Sequence, residues 1–177
     1  MTNANQRVSF RLRGVANVLQ LLVNESTHER RQRAGQCATA LVGFDFNTGV
    51  ATFRTRCKGS GNVWEQKIGF ETAGGGWDRV LNLVYETTEP EESRSFTDFL
   101  NDFKARGLDP KHLSAKVICS CPDFNYQGYA YLLYNSGVGF VPSGEANQPP
   151  AVKNPQGTKG LCKHLIAVIN RYYNPRK

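Results

Sequence analysis

The sequence predicts an α+β fold: an antiparallel β-meander with packed helices, followed by a C-terminal metal-binding module. Three observations carry this expectation. Apolar segments punctuated by Gly- and Asn-containing turns run from residue 38 to residue 85. An amphipathic helical stripe then appears at Phe96, Phe99, Leu100 and Phe103. Beyond it stand two tight ligand pairs, Cys119-Ser120-Cys121 and Cys162-Lys163-His164.

Taken in order, residues 8–12 alternate Val8, Phe10 and Leu12 against Ser9 and Arg11, the period of a short strand. Residues 16–23 carry Val18, Leu19, Leu21, Leu22 and Val23, which fit either a short helix or a buried strand. Segments 38–46 and 50–57 flank Asn47-Thr48-Gly49, a hairpin turn. The turn Lys58–Asn62 leads to a strand over Val63–Phe70, and Gly74-Gly75-Gly76 leads to a further strand over Trp77–Tyr85. Together these make a meander of three or four strands.

An acidic loop, Glu86–Glu92, precedes a helix with Ser95 as N-cap and Asp98 at its third position; Gly107 and Pro110 stop it. Residues 113–119 alternate Leu113, Ala115, Val117 and Cys119. A helix after Pro122-Asp123 would carry Tyr126, Tyr129, Ala130 and Leu133. Residues 135–161 are rich in Gly and Pro, a long loop of the kind that is functional or tied down. A last helix is expected from about Leu161, with Cys162, Leu165, Ile166, Ile169 and Tyr173 on one side and Pro175 at its end. The chain divides into an α+β scaffold, residues 1–112, and a zinc module, residues 113–177, packed as one unit.

The 177 residues suffice for one substantial core. With 40% hydrophobic and 21% charged residues, the composition is globular rather than disordered. No apolar run reaches the roughly 18–20 residues that span a bilayer, and the N-terminus lacks a secretory apolar stretch. The expectation is therefore synthesis in a reducing cytoplasm, no membrane partner, and close-spaced cysteines that bind metal. The net charge of +7 suits an acidic partner, nucleic acid or protein. Its densest run is Arg30-Arg31-Gln32-Arg33, followed by the tail Arg171–Lys177; a solvated basic face is the plainer reading.

The two pairs supply Cys119, Cys121, Cys162 and His164, a closed Cys₃His set whose natural occupant is one structural Zn²⁺. A turn through Ser120 to Pro122 can aim both thiolates of the first pair at one ion. The second pair sits at a helix start, where free N–H groups favour a thiolate. Four protein ligands leave no open position for water or substrate, so no catalytic residue and no small-molecule substrate is expected. Cys162 and His164 are two residues apart and do not face each other on a helix, which argues against a nucleophile pair. Asp45, Asp78, Asp98 and Asp102 form no acid/base pair, and His28 and His112 are isolated. The turn Gly157-Thr158-Lys159-Gly160 lacks P-loop spacing and reads as the linker that delivers Cys162. Cys37 and Cys57 read by default as free buried thiols, with a disulfide or a second partial metal site as the alternatives.

C-x-C … C-x-H is the ligand order of SWIM-type zinc fingers. The flanking residues, Val117-Ile118-Cys119-Ser120-Cys121-Pro122-Asp123-Phe124 and Gly160-Leu161-Cys162-Lys163-His164-Leu165, resemble how that finger opens and closes. The insert between the pairs is longer than SWIM fingers usually carry. With Lys153-Asn154-Pro155 in it, the stretch from 113 to 169 resembles small SWIM-like virion structural proteins of tailed bacteriophages. That resemblance implies a non-enzymatic structural or assembly role in a virion (neck, tail or baseplate), with other virion proteins as multi-copy partners. The alternative is a nucleic-acid-binding SWIM accessory protein of recombination or replication. There the Arg30–Arg33 run would meet phosphates and Tyr126, Tyr129, Tyr131 and Tyr134 would stack bases, unless those tyrosines simply pack the core.

Overall fold

Residues 18–72, 76–91, 93–108, 113–142, 154, 157 and 160–173 are described by the structure, a computed structural model. The described residues begin with two short helices, α1 (Val18–Glu25) and α2 (His28–Ala34). The ambiguous segment at 16–23 is thus helical: Leu19, Leu22 and Val23 are all buried, the i, i+3, i+4 spacing of one helix face. The strand expected at 8–12 lies outside the described residues.

Strands β1 (Cys37–Asp45), β2 (Val50–Cys57) and β3 (Val63–Glu71) follow as an antiparallel meander. The β1–β2 turn is built by Asp45, whose carboxylate accepts from the Asn47 N–H at 2.9 Å and the Thr48 hydroxyl at 2.8 Å. A bulge between Leu41 and Gly43 leaves Val42 unpaired and half-exposed. Ala51, Phe53, Thr55 and Cys57 point inward from β2, as do Gln66, Ile68 and Phe70 from β3.

The segment Trp77–Tyr85, expected as a strand, is a helix, α3. Its buried residues Trp77, Val80, Leu81 and Val84 fall at i, i+3, i+4 and i+7, while Asp78, Arg79, Asn82 and Leu83 face water. Helix α4 (Phe96–Ala105) begins on the expected capping box: Ser95 Oγ accepts from the Asp98 N–H at 3.1 Å, and Asp98 accepts from the Ser95 N–H at 3.0 Å. The fourth strand is instead β4 (Ser114–Cys119), antiparallel to β3, in sheet order β1-β2-β3-β4. Helices α5 (Pro122–Tyr126), α6 (Tyr129–Asn135) and α7 (Lys163–Tyr172) complete the described elements. Helix α7 starts at Lys163, with Cys162 as its N-cap.

One hydrophobic cluster fills the interior. It contains residues from both sides of position 112, from Leu19 and Phe53 to Leu165 and Tyr173. Helix α7 runs through it, and every residue from His164 to Ile169 is buried. Phe44, Phe70, Trp77, Phe96 and Phe99 pack around its far end in edge-to-face, tilted and stacked pairs, ring centroids 5.2–6.4 Å apart. At the open end of the β1–β2 hairpin, Cys37 and Cys57 are cross-strand partners and are joined as a disulfide. This corrects the expectation of free thiols: the hairpin register sets the two residues directly opposite each other. Among the described residues no helix is long and apolar enough to cross a membrane.

Candidate metal centre

The first ligand pair is placed by β3. Cys119 ends β4 opposite Gln66. The ladder continues one residue further through Ser120, whose N–H donates to Glu65 O at 2.9 Å and whose Oγ accepts from the Glu65 N–H at 2.9 Å. Pro122 then starts α5; proline suits a first helical position because its missing N–H would have no partner there. This makes Cys121 the N-cap, and its Sγ accepts from the Phe124 N–H at 3.4 Å. A strand end followed at once by a helix start is what turns both sulfurs of C-x-C the same way.

The second pair arrives on α7. Cys162 is the N-cap and His164 lies in the first turn. The approach is anchored by the residue that follows α1: Ser26 Oγ accepts from the Leu161 N–H at 2.9 Å and donates to Leu22 O at 2.7 Å. Asn154 is tied down as well, its side-chain amide donating to Gln127 O at 3.1 Å.

The four expected ligands meet. One ligand atom from each of Cys119, Cys121, Cys162 and His164 lies within 4.8 Å of the others, and all four residues are buried. Burial by itself raises the Cys119 thiol, but hydrogen bonds from Cys121, Cys162 and Gln66 outweigh it and hold Cys119 well below the ordinary thiol range. Cys121 is raised, chiefly by its bond to Cys119. Cys162 is pushed well up by burial and then by both neighbouring sulfurs. A bound dication would favour the thiolate form of all three sulfurs. The imidazole also fits, since His164 Nδ1 is buried with no hydrogen-bond partner among the described residues. Mixed sulfur and nitrogen donors at this spacing suit tetrahedral Zn²⁺.

Two stretches of this chain, residues 113–130 and 156–173, match the SWIM zinc finger family. The matched segments contain both ligand pairs, so the C-terminal half carries a SWIM zinc module. No curated protein and no solved structure matches the chain.

Around the SWIM module lie residues that spacing alone did not pick out. Gln66, fully buried, donates from Nε2 to Cys119 Sγ at 3.4 Å and to Trp64 O at 2.8 Å, while its Oε1 accepts from Thr55 Oγ1 at 2.7 Å. The Trp64 ring stands 6.4 Å from the His164 ring. Arg30 of α2 makes a two-pronged contact with Asp123, at 3.1 and 3.2 Å, and lies 5.2 Å from the Tyr129 ring centroid.

Other expected features divide. Arg30 is committed to Asp123, whereas Arg31 and Arg33 are both exposed, Arg33 beside the exposed Glu29. Tyr129 packs in the core against Phe124, whereas Tyr126 and Tyr134 are exposed, so the four tyrosines form no single platform. Asp45 and Asp98 serve a turn and a cap, and Asp102 accepts from Tyr85 at 2.9 Å and pairs with Arg94. His28 opens α2 on the surface. His112, Thr158, Lys159, residues 143–153 and the tail beyond Tyr173 lie outside the described residues.

Proposed function

We propose that this chain is a non-enzymatic structural or assembly component of a tailed-phage virion, in the neck, tail or baseplate, held together by one zinc ion on Cys119, Cys121, Cys162 and His164. The observation that carries the zinc role is the burial of all four ligand groups at mutual distances within 4.8 Å. Four protein donors complete a tetrahedron and leave no position for substrate activation. A bound ion would bolt the start of α7 to the end of β4 and close the intervening loop; structural zinc contributes on the order of 10 kcal/mol of folding free energy. Resemblance of residues 113–169 to small SWIM-like virion proteins supports the place in a particle, made and assembled in the host cytoplasm beside other multi-copy virion proteins.

Zinc content is the direct test. The purified protein should carry one zinc per chain by elemental analysis, and Cys162→Ser should bring that close to zero; retained stoichiometric zinc in the variant refutes the ligand set. For the virion, mass spectrometry of purified particles should recover the protein at a fixed ratio to known tail proteins. Its absence from particles would remove the virion role and leave the zinc site standing.

Charge favours a second reading, nucleic-acid binding. The net +7, with Arg31 and Tyr126 facing outward, would serve phosphate contact and stacking. Binding of single-stranded DNA whose affinity falls steeply with salt would support it, and no binding at physiological salt would eliminate it.

A further inference from the structure

We infer that the zinc centre is a composite: strand β3, which lies outside the two SWIM-matched segments, supplies a positioning residue, Gln66, that sets how tightly the metal is held. The inference rests on the zinc reading above. Gln66 is fully buried and every polar atom of its side chain is used. Its amide nitrogen bridges Cys119 Sγ and the Trp64 carbonyl, and its amide oxygen is held by the Thr55 hydroxyl. The Trp64 carbonyl, which can only accept, fixes the amide nitrogen on the sulfur's side, and Thr55, also fully buried, holds the amide oxygen in place.

The chemistry explains why such a donor is there. Three thiolates and one imidazole around Zn²⁺ leave a net charge of −1 in a buried place, where uncompensated charge is costly. An N–H aimed at a thiolate spreads that charge and fixes the sulfur lone pairs, as outer partners of metal ligands generally do. Cys121 receives the equivalent bond from the Phe124 backbone, which belongs to the finger itself. Cys119 obtains its own from a side chain 53 residues earlier in the chain. Glu65 pairs with Ser120 through two further hydrogen bonds, so the C-x-C turn is shaped against β3 rather than by the finger alone.

The test uses the full chain with Gln66→Met, which preserves most of the volume and removes the donor. In competition with a chromophoric chelator, zinc affinity should fall about 10- to 100-fold. In the Co²⁺-substituted protein the sulfur-to-cobalt charge-transfer band should move to lower energy, because a thiolate freed of its hydrogen bond donates more strongly. A purely packing role would not move that band. Thr55→Val, which leaves the amide but removes the group that holds its oxygen, should change both readouts in the same direction by less, and it decides the matter if Gln66→Met does not fold. Unchanged affinity and an unchanged band in a folded variant overturn the inference. Failure of the unmodified protein to bind zinc or cobalt would instead overturn the zinc reading.

Discussion

At the scale of single residues, Gly49 shows how a turn position and a packing position can coincide. Its φ is +69°, in the left-handed region, and a Cβ there would lie 2.3 Å from the Trp77 ring. The ring is itself pinned by Trp77 Nε1 donating to Phe46 O at 2.7 Å, so it cannot swing aside without breaking a buried bond. Gly49→Ala should therefore lose about 3 kcal/mol, combining backbone strain with overpacking. Gly59 offers the matched control: its φ is +78°, a Cβ there would meet nothing within 4 Å, and Gly59→Ala should lose only about 1 kcal/mol from the backbone alone. Urea denaturation of the two variants separates the effects, and equal losses would mean that Trp77 yields. The ligand residues were legible at this scale because metal spacing is local: each pair sits within three residues. Gln66 was not, because nothing near it in sequence announces a bond to Cys119.

At the scale of elements, legibility followed the range of the forces involved. Helix α4 declares itself through a capping box and a stripe confined to a few turns. The β1–β2 hairpin does so through a turn whose side chains bond their own backbone. Trp77–Tyr85 misleads because its Gly-rich approach and its valine and aromatic content suit a strand, although its i, i+3, i+4, i+7 stripe is that of the helix it forms. Strand β4 was visible by alternation, but its pairing with β3 is made across two intervening helices, a contact that no local pattern encodes. The cysteines of β1 and β2 turned on register. Their disulfide closes a separation of 20 residues, for which chain entropy allows roughly 3 kcal/mol as an upper bound. The same end of the hairpin is held by the Lys58 N–H to Gln36 O bond at 2.9 Å and by Arg171 donating to Thr39 O at 2.7 Å. The double variant Cys37→Ser/Cys57→Ser should accordingly remain folded, with zinc content unchanged, and lose no more than that amount in denaturant titration. A variant that fails to fold would show the covalent link to be essential to the sheet.

At the scale of the whole molecule, the arrangement predicts that zinc holds more than the finger. Helix α7 begins at two of the four ligands, and its buried side chains belong to the same cluster as Phe53, Phe70 and Phe99 of the scaffold. Its far end reaches β1, where the Tyr172 hydroxyl accepts from the Leu41 N–H at 3.1 Å and its ring lies 4.9 Å from Phe53. Releasing the metal leaves three buried thiols and an imidazole to share protons, and it frees the start of a helix that has no side-chain cap of its own. That disturbance has no boundary at which to stop, since β3 and β4 join the two halves in one sheet. The chain's two tryptophans report on this directly. Trp64 stands beside His164, and Trp77 sits in the aromatic cluster with Phe44 and Phe99. Removing zinc with a strong chelator should lower the midpoint of thermal unfolding substantially, as loss of any ligand specific to the folded state must. In Trp64→Phe and Trp77→Phe, each leaving one reporter, the remaining fluorescence should then follow the same transition as the far-ultraviolet circular dichroism of that variant, and chelator should shift both signals together. If Trp77 kept its buried fluorescence after Trp64 had lost its own, the scaffold would be an independent domain and α7 only its guest. Acid should mimic the chelator, because protons compete with zinc for every one of the four donors, so the holo-protein should lose metal and both tryptophan signals together as the pH falls.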